Sequence, residues 1–309
     1  MNITKKDNAW HASIFPQYIE WWYCDALFAS NYSLAGSFAI WGNLRRPTSL
    51  TIRSDFLLTA PDGTVINFDQ DYQISGFRAS SKKCDVHLGL NSLVDRKGDF
   101  LLYLENRNGA SLQLVFIPQC SGFKHIHYFD YDKGQFFAWL VPAPRATVWG
   151  NLTCRGKQTR MEGIGYHDHN WASVSLSQRL SGWKWARFHA EDITLILASV
   201  EGVRHPLFSG MAWIEKGTQL FDYRHIHFGP QCKEITFTEK CIRLIQNTRN
   251  LNVDLYLEMN NAHSLIDKSQ ATGYKRLISQ ANGSIHDGQS ERHLSGLLLH
   301  EIKTLKTQP

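Results

Sequence analysis

A chain of 309 residues is longer than a usual single domain and points to two domains, each able to bury its own core. Hydrophobic residues make up 43% and charged residues 20%, an ordinary globular composition that excludes a disordered or low-complexity chain. The net charge is +5, but Lys and Arg are interleaved with acids and form no basic stripe, so nucleic acid is excluded as an expected partner.

The six cysteines (24, 84, 120, 154, 232 and 241) are widely separated and form no C-x-x-C pair. They read as reduced, mostly buried thiols of a cytoplasmic protein. Residues 1–17 are polar and lack an apolar core, so no signal peptide is expected. The longest apolar runs, such as Ile193–Val200, are strand-length. Peripheral contact with membranes stays open, and no signal for an oligomeric state is visible. Ten Trp, 11 Tyr and 17 Phe are many for this length; such rings fill wide β cores and line pockets for flat or greasy ligands.

In chain order, Glu20-Trp21-Trp22-Tyr23-Cys24-Asp25 comes first. As a strand of period two it places Glu20, Trp22 and Cys24 on one face and Trp21, Tyr23 and Asp25 on the other. Each face carries a large ring beside a polar group, so both faces touch something. Tyr32–Leu44 is strand-like. Thr51–Ala60 and Thr64–Phe68 flank the turn Pro61-Asp62-Gly63, and Phe100–Glu105 and Ser111–Ile117 flank Asn106-Arg107-Asn108-Gly109. Pro142–Arg145 reads as an extended segment that leads into a strand over Ala146–Cys154. Weak helical turns are expected around Ala172–Leu180. Trp183–His189, Ile193–Glu201, Ser209–Lys216, Ile235–Thr238, Ile242–Gln246, Val253–Met259 and Leu294–Ile302 read as strands. Ser264–Ser290 is polar without clear period and reads as a loop, with a short strand or helix near Tyr274–Ser279. The pattern is all-β, of sandwich or barrel type. His125-Ile126-His127-Tyr128-Phe129 echoes His225-Ile226-His227-Phe228, which both duplication and chance would explain.

The densest chemistry lies at Gly163-Ile164-Gly165-Tyr166-His167-Asp168-His169-Asn170-Trp171, which reads as the seam between the domains. If extended, Tyr166, Asp168 and Asn170 face one way and His167, His169 and Trp171 the other. A carboxyl among aromatic rings is poorly solvated, which favours its neutral form and makes Asp168 the best candidate proton donor, oriented by Tyr166 or a histidine. The bland alternative has Asp168 capping a turn and the histidines bonded to backbone.

Other chemistries fare worse. His125/His127, His167/His169 and His225/His227 could each offer two imidazoles to an ion. No H-E-x-x-H or similar spacing supports that, so hydrogen-bonded strand histidines and no metal are expected. There is no G-x-S-x-G elbow and no G-x-G-x-x-G fingerprint. Gly163 and Gly165 are expected to let the strand pass close to another backbone or to a ligand.

Glu20-Trp21-Trp22-Tyr23, Gly165-Tyr166-His167-Asp168-His169-Asn170-Trp171 and Trp183-Lys184-Trp185-Ala186-Arg187, in that order, resemble the lipocalin-like AttH and carotenoid 1,2-hydratase superfamily. The resemblance covers most of residues 15–300. It implies two calycin-type β-barrel domains, taken as 1–180 and 181–309. Members include carotenoid hydratases, kievitone hydratase-like proteins and Diels–Alder cyclases; tocopherol cyclase is more remotely similar. The hydratase-type Tyr-His-Asp element falls on Tyr166, His167 and Asp168. Ala172 stands where the family often has glycine, and Trp139 lies where hydratases present further histidine and tryptophan character.

The resulting expectation is an enzyme that hydrates or cyclises a hydrophobic polyene, isoprenoid or polyketide-derived substrate without a cofactor. Asp168, Tyr166, His167 and His169 are its candidate catalytic residues. Glu20, Trp21, Trp22, Tyr23, His127, Trp139, Asn170, Trp171, Trp183 and Trp185 are its candidate substrate-binding residues. Trp21, Trp22, Trp171 and Trp185 would steady a carbocation with their ring faces. The alternatives are a cofactor-free pericyclase, which gains rate from pre-organisation, and a non-catalytic carrier of apolar ligands.

Overall fold

The computed structural model describes residues 3–12, 17–218, 220–229, 232–247, 252–268 and 273–305. Its regular structure is antiparallel β apart from short 3-10 turns, and the chain divides into two compact units, Met1–Ser175 and Leu176–Pro309. The expected boundary at 180/181 falls at the start of the first strand of the second unit. No described helix is long and apolar enough to cross a membrane.

The first unit opens with β1 (Tyr18–Phe28), β2 (Ser33–Gly42), β3 (Thr51–Ser54), β4 (Leu57–Thr59), β5 (Val65–Asn67), β6 (Gln70–Tyr72) and β7 (Phe77–Ala79). It continues with β8 (Asp85–Leu88), β9 (Asn91–Arg96), β10 (Asp99–Glu105), β11 (Ser111–Pro118), β12 (Phe123–Asp130), β13 (Gln135–Cys154) and β14 (Lys157–Ala172). The sheet runs β5-β4-β2-β1-β14-β13-β11-β10-β9-β8-β7, with β12 on β13 and β3 bridging β2 to β6. It curls on itself: Asn91 at the start of β9 donates to the Tyr72 hydroxyl at the end of β6 (2.8 Å). Both expected hairpins are present, Leu57–Thr59 with Val65–Asn67 and Asp99–Glu105 with Ser111–Pro118.

Two readings are corrected here. Thr51–Ala60 is two strands, because Asp55 breaks out to accept bonds from the backbone and hydroxyl of Ser37 (2.6 and 2.9 Å), after which the chain pairs again with β2. Pro142–Arg145 is extended as expected, but it is the middle of the 20-residue β13 rather than a lead-in to a strand that starts at Ala146. Its prolines coincide with register shifts against β14, between Leu140 and Ala143 and between Ala143 and Ala146, where the ladder needs no N–H from them.

The core of this unit gathers Trp22, Phe38, Phe56, Phe116 and the other inward residues of these strands. Burying each such side chain is worth about 1.5–3 kcal/mol. β14 lies between β1 and β13 as the unit's last strand. A Cβ at Gly163 would sit 2.1 Å from the Leu27 carbonyl oxygen and 2.8 Å from the Phe28 Cα. That is the close backbone approach expected of this glycine.

The second unit begins with a 3-10 turn at Leu176–Gln178, inside the stretch expected to turn, and then forms one nine-stranded sheet. Its strands are β15 (Leu180–His189), β16 (Ile193–Gly202), β17 (Pro206–Lys216), β18 (Phe221–Gly229), β19 (Cys232–Phe237), β20 (Cys241–Asn247), β21 (Asn252–Lys268), β22 (Tyr274–His286) and β23 (Glu291–Thr304). Their order is β18-β17-β16-β15-β23-β22-β21-β20-β19. The curl is bridged by side chains, His225 on β18 meeting Gln246 on β20 at 2.9 Å. Ser264–Ser290 is not a loop: it holds the end of β21 and all of β22, while 269–272 lie outside the described residues. Its buried positions are Arg276, Leu277, Ser279, Ala281 and Ile285, so small and polar residues mask the period in the sequence. The two His-x-His-containing segments fall on β12 and β18, each paired with a single strand.

Candidate active site

Register settles which side chains meet. Tyr23 lies opposite Asp168, Trp21 opposite Asn170 and Asp25 opposite Tyr166, while Trp139 on β13 lies opposite Asn170 from the other side. Directly opposed residues point to the same face. One face of β1 and β14 therefore carries Trp21, Tyr23, Asp25, Tyr166, Asp168 and Asn170, joined by Phe137 and Trp139.

Asp168 is the hub of that face and is buried. The Tyr166 hydroxyl and the Trp139 indole N–H both donate to its Oδ2, at 2.8 and 3.1 Å, and the Asn170 amide meets its Oδ1 at 2.6 Å. The Tyr23 hydroxyl donates to Asp25 Oδ2 at 3.1 Å, and the rings of Tyr23 and Tyr166 meet edge to face. Two Tyr-x-Asp pairs thus interlock across neighbouring strands. Burial above all pushes the Tyr166 phenol well above its ordinary pKa, so it stays a neutral donor. Trp21 stacks loosely on Phe137, with ring centroids 6.1 Å apart. On β12, His125 lies opposite Trp139 and His127 opposite Phe137, which brings His127 to the rim of this face.

The opposite face of the same strands is the core side and carries Glu20, Trp22, Cys24, His167, His169 and Trp171. His167 is bonded at both nitrogens, Nδ1 to the Tyr23 carbonyl (2.8 Å) and Nε2 to the Asn8 amide (3.0 Å). Burial holds its pKa at about 4, so it is a neutral histidine. His169 Nε2 meets Glu20 Oε1 at 2.6 Å, and its ring stacks on Trp22. Burial drives the Glu20 carboxyl pKa up and that of His169 down.

The candidate residues therefore divide. Tyr166, Asp168, Asn170, Trp139, Trp21 and Tyr23 come together; His167, His169, Glu20, Trp22 and Trp171 lie behind them. Tyr166, which the sequence offered beside a histidine as a partner for Asp168, does bond to it. Trp183 and Trp185 belong to the second unit, where the Trp183 indole donates to Glu301 (2.9 Å) and Trp185 is buried. Asp25 and Phe137 were not anticipated. Asp25 was legible, since it shares the period-two face of Trp21 and Tyr23; Phe137 was not, because β13 follows no simple alternation of burial.

No protein-family model matches the chain. It is 26% identical over 239 residues to hydroxyneurosporene dehydrogenase of Chlorobaculum tepidum, a match that spans 63% of this chain and 60% of that relative. Three solved structures share its fold over nearly the whole length. The AttH protein of Nitrosomonas europaea has a TM-score of 0.62 at 13% identity, covering 99% of this chain and 97% of its own. CghA with Sch210972 has a TM-score of 0.64 at 11%, covering 95% and 90%. Kievitone hydratase of Nectria haematococca has a TM-score of 0.53 at 12%, covering 93% and 88%. The chain thus has the all-β, two-barrel fold of the AttH and hydratase structures that its motifs resemble.

Proposed function

We propose that the protein is an enzyme that protonates an alkene of a hydrophobic polyene, isoprenoid or polyketide-derived substrate, with Asp168 as the acid. The observation that carries this reading is the convergence of Tyr166, Trp139 and Asn170 on one buried carboxyl, on a face shared with Asp25 and aromatic rings. The three donors stabilise the carboxylate left once the proton has gone, while burial and a second carboxyl on the same face favour the acid before it has. The Asn170 amide suits either state, because its nitrogen donates to a carboxylate and its oxygen accepts from a carboxylic acid.

In the reaction, the Asp168 proton passes to one alkene carbon and the π electrons form the new C–H bond. The other carbon becomes a cation, steadied by ring faces such as that of Trp21 by about 0.5–2 kcal/mol each. Water then adds and loses its proton to a carboxylate, or an internal double bond closes a ring and a proton is lost. Neither route draws on a cofactor. The relatives' names lend support: one is a hydratase, one acts by name on hydroxyneurosporene, and one was solved with Sch210972.

The test is incubation with an acyclic polyene bearing terminal isoprenoid double bonds in ¹⁸O-labelled water. Hydration adds one labelled water, cyclisation gives an isobaric product, and Asp168→Asn removes either activity. Full turnover by that variant would overturn the acid assignment. An isobaric product formed equally well by Asp168→Asn would favour a pericyclase, and a bound polyene recovered unchanged a carrier.

A further inference from the structure

His11, Glu20 and His169 form a cluster on the core face that the alkene chemistry does not use. They come from three parts of the chain: the amino-terminal segment, β1 and β14. His11 Nδ1 lies 3.2 Å and His169 Nε2 2.6 Å from the same oxygen, Glu20 Oε1. One ligand atom from each residue falls within 4.8 Å of the other two. We infer that this is a binding site for one late-transition divalent cation, zinc the foremost, held by His11 Nδ1, Glu20 and His169 Nε2.

The charge balance argues for it. The Glu20 side chain is completely buried, yet its described partners are two imidazoles and the backbone N–H of His11. No lysine or arginine pairs with it among the described residues, and the nearby Lys124 is taken up by Asp7 at 2.7 Å. Out of water such a carboxyl either keeps a proton or is met by a compensating positive charge. A divalent ion supplies it.

The donor set also fits. Two imidazoles and a carboxylate are a common ligand set for such ions, and metal–ligand distances of about 2.0–2.2 Å put tetrahedral ligands roughly 3.3 Å apart. The two separations from Glu20 Oε1, 3.2 and 2.6 Å, lie below that value, the first only just, so side-chain shifts of under about an ångström adjust them to it. Both rings are already oriented by stacking, His11 on Trp171 (3.9 Å between centroids, 8°) and His169 on Trp22 (4.6 Å, 14°). The His11 side chain is 28% exposed, which gives an ion a way in and leaves room for water as fourth ligand. The bound ion would fasten the amino-terminal segment to β1 and β14. That segment is otherwise tied down by Asn8 on His167, Asp7 on Lys124 and Trp10 on Phe77.

The experiment uses the full chain, stripped with chelator and titrated with CoCl2 and then ZnCl2. One equivalent of cobalt is expected to bind with the visible absorption of a low-symmetry nitrogen–oxygen site, and zinc to displace it and raise the Tm. His11→Ala removes a partly exposed side chain and should keep the wild-type circular dichroism. It should weaken zinc binding at least about tenfold and lose the zinc-dependent Tm shift. His87→Ala, at a histidine paired with Asp85 on β8, should bind zinc as the wild type does. Absence of a one-equivalent cobalt spectrum in the wild-type chain, or equal zinc affinity in the wild type and His11→Ala, would overturn the assignment and leave a hydrogen-bonded latch.

Discussion

The two faces of β1 and β14 carry similar residue types and put them to opposite use. On one, Asp168 is met by donors from Tyr166, Trp139 and Asn170. On the other, Glu20 is met by His169, His11 and a backbone N–H, packed against Trp22 and Trp171. Both carboxyls are buried, so burial alone does not mark a reactive group. The surroundings differ. Asp168 shares with Asp25 a face of hydroxyls and rings, where we propose that a proton is held and given up. Glu20 looks into the core and fastens one chain segment to two strands.

The largest expected effect separates the two faces by activity. Asp168→Asn should lower kcat/KM by about 10²–10⁴-fold with little change in the urea midpoint. Glu20→Ala should do the reverse, costing about 3 kcal/mol in urea unfolding, because His169 and the His11 N–H are left without a buried acceptor. Equal activity loss with equal stability loss in both variants would erase the distinction.

A histidine of the second unit tests whether core-side imidazoles are simply buried neutral groups. His300 is fully buried, and burial pushes its pKa down to about 4. Its folded value lies below the unfolded value of about 6.5, so the unfolded chain binds more protons between these pH values. Stability is therefore complete above pH 6.5 and is lost as pH falls toward 4, by roughly 3 kcal/mol for this group. His300→Leu should flatten that part of the pH–stability curve. An unchanged slope would show that this burial is relieved before unfolding.

The smallest effects concern the donors to Asp168. Tyr166→Phe should lower kcat/KM about tenfold, the worth of one hydrogen bond to a reacting group, while thermal unfolding changes little. Trp139→Phe should act in the same direction and by no more. If Tyr166→Phe matched the loss in Asp168→Asn, the phenol rather than the carboxyl would be the proton donor.

The alternation of side chains along a strand was readable from the residues alone. Glu20, Trp22 and Cys24 do part from Trp21, Tyr23 and Asp25, and Tyr166, Asp168 and Asn170 from their neighbours, because period two is a local property of the extended backbone. Turn residues likewise placed the hairpins at Pro61–Gly63 and Asn106–Gly109. Strand length was less legible. β13 runs through two prolines and β22 fills buried positions with Arg276, Ser279 and Ala281, so neither shows a clean pattern.

What the chain by itself determined is therefore the all-β class and the faces of its marked strands. Each of these follows from interactions between residues near in sequence. Only the tertiary structure decided that Trp139 reaches Asp168 across 29 positions, and that His169 meets Glu20 across 149. It also decided that His11 completes a cluster which no His-x-His spacing announces. Those partners are set by which strands become neighbours and in which register, and that depends on burying a whole sheet at once rather than on any one stretch.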